Sequence, residues 1–390
     1  MLWLKRIILG MLGIALLGLA GVFILAPAIV EKGLNPVAPH DPWPVSTEAA
    51  ALHERLVIGD WHADSLLWNR DLTTRSDYGQ VDIPRLIEGN VAVQVFTAVT
   101  KSPAGQNYAS NSADARDNIT LLAVGQLWPP RTWGSLLERA LYQAAKLHGF
   151  ADRAPDSLRI LRSRADLEAL LAARAQGART VGGLLGIEGA HPLEGDLANL
   201  DRLEDAGYRL IALQHFFDNA LGGSLHGEGD HGLTGFGRAV VAEVAARGMV
   251  LDLAHSSPQV VRDVLAMTDI PLVLSHTGLH SHCEVKRNIP DALMQRIAQT
   301  GGVIGIGYWA DVTCDDSPAG VAGAIAAAVA AVGADHVSLG SDFDGSVATA
   351  FDTSELAALT HALLEAGLDE ETIAKVMGGN MIRVLRARLD

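Results

Sequence analysis

The chain has 390 residues, 49% of them hydrophobic and 19% charged, so it can bury a sizeable core and is neither a disordered nor a collagen-like polypeptide. Its 45 acidic residues against 30 basic ones leave a formal charge of −15, which argues against wrapping a nucleic acid or binding an anionic membrane through charge alone. Two cysteines, Cys283 and Cys314, are too few for a disulfide scaffold or a thiolate zinc site, which leaves the 14 histidines as the place to look for chemistry.

In chain order, the first element is an uncharged apolar run from Ile7 to Val30. Its 24 residues exceed the roughly 20 needed to cross a hydrocarbon core as a helix. Lys5 and Arg6 stand just before it, which leaves the N-terminus on the cytoplasmic side. The competing reading is a cleavable signal peptide, because Ala26-Pro27-Ala28 resembles a small-residue cleavage site. The apolar core of such peptides is only about 7–15 residues long, so residues 1–30 read as a transmembrane anchor. Both readings put the rest of the chain outside the cytoplasm, secreted if the segment is removed. Residues 31–45 contain Pro36, Pro39, Pro42 and Pro44 and read as an extended linker. Residues 46–390 show no further low-complexity break and no repeat, and read as one domain.

Within that domain, eight short apolar runs alternate with longer amphipathic stretches. They cover 56–64, 91–99, 181–189, 209–215, 249–255, 271–276, 303–308 and 337–344. Eight βα units predict an α/β fold, a closed (β/α)8 TIM barrel. The helix signals between them agree: Ser163 is an N-cap with Asp166 at the capping-box position and Gly177 as the stop, and Ser257-Pro258 opens another helix. Chain in excess of the barrel lies mainly at 100–180, between the second and third strands, and after the fourth.

Six of the runs end on a residue able to bind a metal or move a proton: His62 with Asp64, Glu188, His215, His255, His276 and Asp342. The C-terminal strand ends of such a barrel converge on one mouth, so these residues are predicted to meet. Singly, each has a plainer explanation. A strand-end histidine is commonly just hydrogen-bonded, His62-x-Asp64 suits an Asp–His hydrogen bond as well as chelation, and Glu188 suits a salt bridge. Together they crowd carboxylates that protons or cations must compensate, and imidazoles with carboxylates are a ligand set for zinc or a similar divalent metal. His226 and His231, in the glycine-rich stretch 222–237, read as solvent-facing, as do His191, His280 and His282. His40, His53, His148, His336 and His361 carry no pattern and read as structural or exposed.

The segments DWHAD, LGIEGAHPL, LQH, LDLAHSS, LVLSH, KRNIPD and GSDFDG, in this order, resemble the membrane (renal) dipeptidase family of binuclear zinc peptidases. The resemblance covers roughly residues 48–390 and implies an amidohydrolase-like barrel holding two Zn²⁺. By motif, it implies that His62 and Asp64 hold one zinc, that His255 and His276 hold the other, and that Glu188 and a hydroxide bridge both. It also implies that His215 contacts the substrate carbonyl oxygen, that Asp342 is the acid/base carboxylate and that Arg287 binds the substrate's terminal carboxylate. The bridging hydroxide would attack the scissile carbonyl and Asp342 would pass its proton to the departing amine, while the guanidinium fork would favour dipeptides.

The family often accepts a D-residue at the C-terminal position. Trp61 stands where the family often has glycine and is expected to crowd the edge of the site. Cys283 and Cys314 follow neighbouring strands, which leaves a disulfide and two free thiols both open. The alternative function is another metal-dependent amidohydrolase on the same barrel, an N-acyl-amino-acid deacylase or a lactam hydrolase. A non-catalytic receptor is disfavoured by the intact ligand set. The expected partners are a dipeptide substrate and the membrane, with no nucleic acid; a homodimer is left open.

Overall fold

Nine strands form the sheet: β1 (Ile58–Ala63), β2 (Val91–Val99), β3 (Leu158–Ile160), β4 (Val181–Glu188), β5 (Tyr208–Ala212), β6 (Val250–Asp252), β7 (Val273–Thr277), β8 (Val303–Ile306) and β9 (Val337–Leu339). They are seen in a computed structural model that describes the backbone of residues 2–390 and the side chains of that span apart from residues 2, 4, 8–10, 12–20, 22 and 24. Neighbours run β2-β1-β9-β8-β7-β6-β5-β4, all parallel, and β2 pairs back onto β4 to close an eight-stranded barrel. These eight are the predicted runs. The ninth, β3, pairs with Val181–Gly183 at the start of β4, on the edge that β5 occupies from Leu185 onward. Its three residues, buried Leu158, exposed Arg159 and half-buried Ile160, gave no apolar run to read.

Strands buried on both faces need apolar residues at every position, and β2 and β4 are buried throughout. Alternate residues divide the core in two. Val93, Val95, Leu184, Leu210, Val250, Val273 and Val303 form the inner core, floored by Met381, Val384 and Leu385 of the C-terminal helix Asn380–Arg388. Phe96, Leu185 and Ile187 face outward and join Ala140, Ala144 and Leu147 of the helix Leu136–Arg153. Gly59 permits the floor: a Cβ there would lie 2.5 Å from the Met381 sulfur.

Trp61 does not crowd the edge of the site. It is fully buried in the inner core, and its indole N–H donates to Ser338 Oγ at 3.1 Å. The pairing of β1 with β2 slips between Asp60 and Ala63, an irregularity that re-aims side chains: the indole packs below while His62 and Asp64 reach the mouth.

The helix starts follow the local chemistry. Ser163 Oγ accepts from Asp166 N at 3.1 Å to open Arg164–Ala175, and Gly177, at φ 94°, follows its end. Ser257 Oγ accepts from Val260 N at 3.1 Å to open Pro258–Leu265. The insertion between the second and third barrel strands builds the helices Asn118–Gly125, Leu136–Arg153 and Arg164–Ala175 together with β3.

A helix runs over Leu2–Leu34. The transmembrane reading of 1–30 rests largely on side chains outside the described residues, and among the described residues no helix is long and apolar enough to cross a membrane. Residues 31–34, read as the start of an extended linker, belong to this helix, and residues 35–45, which form no helix or strand beyond a bridge at Val37, lie against the barrel. Ala38 N donates to Thr349 O at 2.8 Å and Thr349 N to Pro36 O at 3.1 Å, and Trp43 Nε1 donates to Ala350 O at 3.3 Å.

Cys283 and Cys314 form a disulfide, with their Cα atoms 5.6 Å apart and a sequence separation of 31. Loop closure of this length is worth about 3–4 kcal/mol in the chain-entropy view. Replacing both cysteines by serine should lower the melting temperature by about 5 °C; unchanged melting in a calorimetric scan would contradict that contribution.

Candidate metal centre

Barrel closure brings all the predicted imidazoles and carboxylates to one mouth. Glu188 is the last residue of β4, His62 and His276 lie within β1 and β7, and Asp64 directly follows β1. His215, His255 and Asp342 come three residues beyond β5, β6 and β9. His255 and Asp342 have left-handed backbones, at φ 62° and 60°, which non-glycine residues keep only where the surroundings impose it.

Two buried aspartates supply much of that restraint. Asp60 Oδ1 accepts from His62 N at 2.9 Å and its Oδ2 from Ser341 N at 3.0 Å. Asp252 Oδ1 accepts from Ala254 N at 2.9 Å and Ser275 N at 3.0 Å. Each carboxylate ties two adjacent strand ends together beside a predicted site residue. The sequence reading passed over both. The available signal was a lone aspartate inside an apolar run shortly before a candidate histidine, in GDWH and LDLAH.

Glu188 is the hub. Its Oε1 lies 3.1 Å from His255 Nε2 and 3.4 Å from the Nε2 atoms of His62 and His276; its Oε2 lies 3.3 Å from His215 Nε2. His62 Nε2 is also 3.4 Å from Asp64 Oδ1 and 3.7 Å from Asp342 Oδ1, and the Nε2 atoms of His255 and His276 are 3.0 Å apart. Neighbours orient several of these ligand atoms. Thr97 Oγ1 donates to Asp64 Oδ1 at 2.5 Å, Ser275 Oγ lies 2.8 Å from His276 Nδ1, and His215 Nδ1 faces Lys101 O at 3.3 Å.

Burial and mutual repulsion set the protonation. Burial, with Asp64 nearby, raises the Glu188 carboxyl well above its usual range. Burial, reinforced by Asp64, raises Asp342 to about 7. Burial works against a charge on His62, yet the surrounding Glu188, Asp64 and Asp342 carboxylates push it up to about 10. Burial lowers His215 to about 4. It also holds His255 and His276 well below the usual imidazole range, helped by Arg287 at both and by His62 at His276.

Four imidazole nitrogens thus converge on one carboxylate, and Glu188 Oε2 has no hydrogen-bond donor. The donor set fits divalent cations. Ligand atoms within 4.8 Å of one another form three groups: His62, Asp64 and Glu188; Glu188, His215 and His255; and His62, His276 and Asp342.

Arg287 is buried on the wall of the same cavity. Its Nη2 donates to His276 O at 2.8 Å, and its guanidinium lies 5.8 Å from the centre of the Trp309 ring. Tyr108 and Phe216 line the cavity as well, and Trp309 Nε1 donates to Tyr108 Oη at 3.0 Å. Tyr108 belongs to the insertion after the second barrel strand, where no periodicity marked it.

Two histidines expected to face solvent do not. His226 is fully buried, stacked on Phe216 at 5.0 Å with Nδ1 3.0 Å from Tyr108 O. His191 is buried and stacks on Phe217 at 4.6 Å. The aromatic pair Phe216-Phe217 directly after His215 supplies both apolar seats. His231 and His282 are exposed and His280 half-buried.

The description of the membrane dipeptidase family, peptidase family M19, matches residues 46–389. Dipeptidase aclJ of Aspergillus oryzae is 29% identical over 352 residues, covering 85% of this chain and 78% of its own. Among solved structures, the probable dipeptidase PvdM from Pseudomonas aeruginosa superimposes with a TM-score of 0.72 at 20% identity, over 87% of this chain and 97% of its own. A metallopeptidase from Rhodobacter sphaeroides, liganded with a phosphinate mimic of the dipeptide L-Ala-D-Ala, does so with a TM-score of 0.69 at 24% identity, over 85% and 99%. At these identities the two structures show a shared fold.

The raised His62 holds a proton near neutral pH that an incoming cation displaces, so affinity should rise with pH. Titrating divalent metal into chelator-treated protein at pH 7.5 should release roughly one proton or more per chain. Calorimetry in two buffers of different ionisation enthalpy reads this directly; equal heats in both would contradict the assignment.

Proposed function

The chain belongs to the membrane dipeptidase family, and from that premise we propose that it hydrolyses dipeptides with two zinc ions held at the barrel mouth. The observation that carries the reading is the convergence of the His62, His215, His255 and His276 Nε2 atoms on Glu188, with Arg287 buried beside them. His62, Asp64 and Glu188 would hold one ion, and Glu188, His255 and His276 the other. When bound, such a pair supplies acidified water as a nucleophile near neutral pH and polarises the scissile carbonyl.

The protein's own groups do the rest. Asp342, with a carboxyl raised to about 7, suits proton transfer in both directions and would pass a proton to the departing amine. His215, kept neutral by burial, would meet the carbonyl oxygen through Nε2. That role requires the proton on Nε2, so the 3.3 Å contact of Nδ1 with Lys101 O must give way. Arg287 spends one N–H on His276 O and keeps others for the C-terminal carboxylate of the substrate. The C-terminal residue can be of D configuration in this reading, which the L-Ala-D-Ala mimic bound by the Rhodobacter sphaeroides protein supports.

The apolar run Ile7–Val30 would anchor the chain, with the barrel outside the cytoplasm. The Cys283–Cys314 disulfide supports an oxidising compartment.

A panel of dipeptides with L- and D-configured C-terminal residues, offered to the zinc-loaded chain, tests the reading. Dipeptides with a free carboxylate should be cleaved and their amides spared. Cleavage of N-acyl amino acids or lactams in place of dipeptides would move the assignment to that chemistry. Arg287→Ala should raise KM at least about tenfold, the scale of one lost charge-assisted pair; an unchanged KM would remove carboxylate recognition as its role. Asp342→Ala should lower kcat by about 10²–10⁴, and undiminished turnover would exclude it as the proton carrier.

A further inference from the structure

The loop that carries Asp342 is held in part from outside the barrel. Asp342, Asp344 and Ser346 have left-handed backbones, at φ 60°, 60° and 65°, a strained series that needs external support. Asp344 provides much of it. Its Oδ2 accepts from Ser65 Oγ at 2.6 Å and Arg70 Nη2 at 2.5 Å, and its Oδ1 from Gln80 N at 2.8 Å. Its backbone N donates to Gln80 Oε1 at 2.6 Å, and its carbonyl accepts from Trp68 Nε1 at 2.7 Å.

Arg70 is buried and turns its Nε–H to Glu31, the only acidic residue of the N-terminal helix and itself 1% exposed. Four residues on, Asn35 Oδ1 accepts from Ser346 N at 2.7 Å. The end of that helix therefore holds the Asp342 loop twice, directly through Asn35 and through Arg70. Both Glu31 and Asn35 precede residue 46, where the family match begins.

Charge makes the first tether more than a contact. Lys146, half-buried, donates to Leu66 O at 2.7 Å and to Trp68 O nearby, and burial lowers its amine to about 7 and raises the Glu31 carboxyl to about 7, so the buried Arg70 is the cation that Glu31 and Asp344 share. Without Glu31, the buried guanidinium keeps one carboxylate and has an Nε–H with no acceptor. Removing one partner of a buried pair is strongly unfavourable, and a shift of Arg70 that relieves it loosens its hold on Asp344.

We propose that Glu31 is a positioning residue for catalysis: it holds Arg70 against Asp344 and so fixes the loop that aims Asp342 into the metal-ligand cluster. The inference rests on the hydrolytic reading of the site. It makes the end of the N-terminal helix part of the catalytic unit.

The test compares the full chain carrying Glu31→Ala, Glu31→Gln or Asn35→Ala with the unaltered chain, using Asp71→Asn, in an exposed ion pair with Arg153, as the control. For zinc-loaded protein, Glu31→Ala should lower kcat about tenfold with KM within about twofold, the signature of a lost transition-state interaction. Glu31→Gln, which keeps an acceptor for Arg70, should recover part of the loss. Asn35→Ala, which leaves the charges intact, should lower kcat about threefold.

Hydrogen exchange gives a readout independent of turnover. Peptides covering 340–350 should exchange faster in Glu31→Ala and Asn35→Ala, while those covering 250–260 stay unchanged. Unaltered kcat together with unaltered exchange at 340–350 would overturn the inference. A loosened loop in a chain that cleaves no dipeptide would uphold the tether and refute the hydrolytic reading.

Discussion

The structure depends on the cost of putting Glu188, Asp64, Asp342 and four imidazoles within a few ångströms of one another, out of water. Burial alone disfavours every one of these charges, and the groups respond as such a constraint demands: the Glu188 and Asp342 carboxyls move up, His255 and His276 move down, and His62 is the one imidazole pushed to hold a proton. A cluster of this kind contributes little to folding by itself. It is sustained by the inner core of the barrel beneath it and by polar groups that fix each strand end, and it is suited to cations, which satisfy all the lone pairs at once.

The supporting groups are arranged in a ring behind the ligands. Asp60 and Asp252 tie neighbouring strand ends, Thr97 and Ser275 orient Asp64 and His276, and Asp344 secures the last loop from the far side of Asp342. Outer partners of this kind fix ligand direction and basicity. Here the ring extends beyond the barrel, through Arg70 and Asn35, to the helix that precedes it.

Much of this was legible in the sequence because the barrel imposes a rule that residues obey one at a time. Strands buried on both faces appear as apolar runs, and the residue closing each run must lie at the mouth; Glu188 and His276 could be placed by that rule alone. It failed where a residue's environment is made by another part of the chain. The His226 ring is seated on Phe216 and on the Tyr108 carbonyl, which lie outside its own loop. Trp61 alternates correctly along β1 only if the strand is regular, and the slip between Asp60 and Ala63 moves it into the core. Tyr108 lies in an insertion, and Glu31 lies in an extended-looking prelude to the domain; a single acid beside prolines carries no periodic signal. β3 is three residues long and belongs to the sheet only through its pairing with β4.

The proposed mechanism turns on two zinc ions sharing Glu188 at the mouth. Anomalous diffraction at the zinc absorption edge from crystals of the zinc-loaded protein tests it most directly. Two peaks are expected on either side of the Glu188 carboxylate, one bounded by His62 and Asp64 and the other by His255 and His276. A single peak, or peaks away from Glu188, would contradict it.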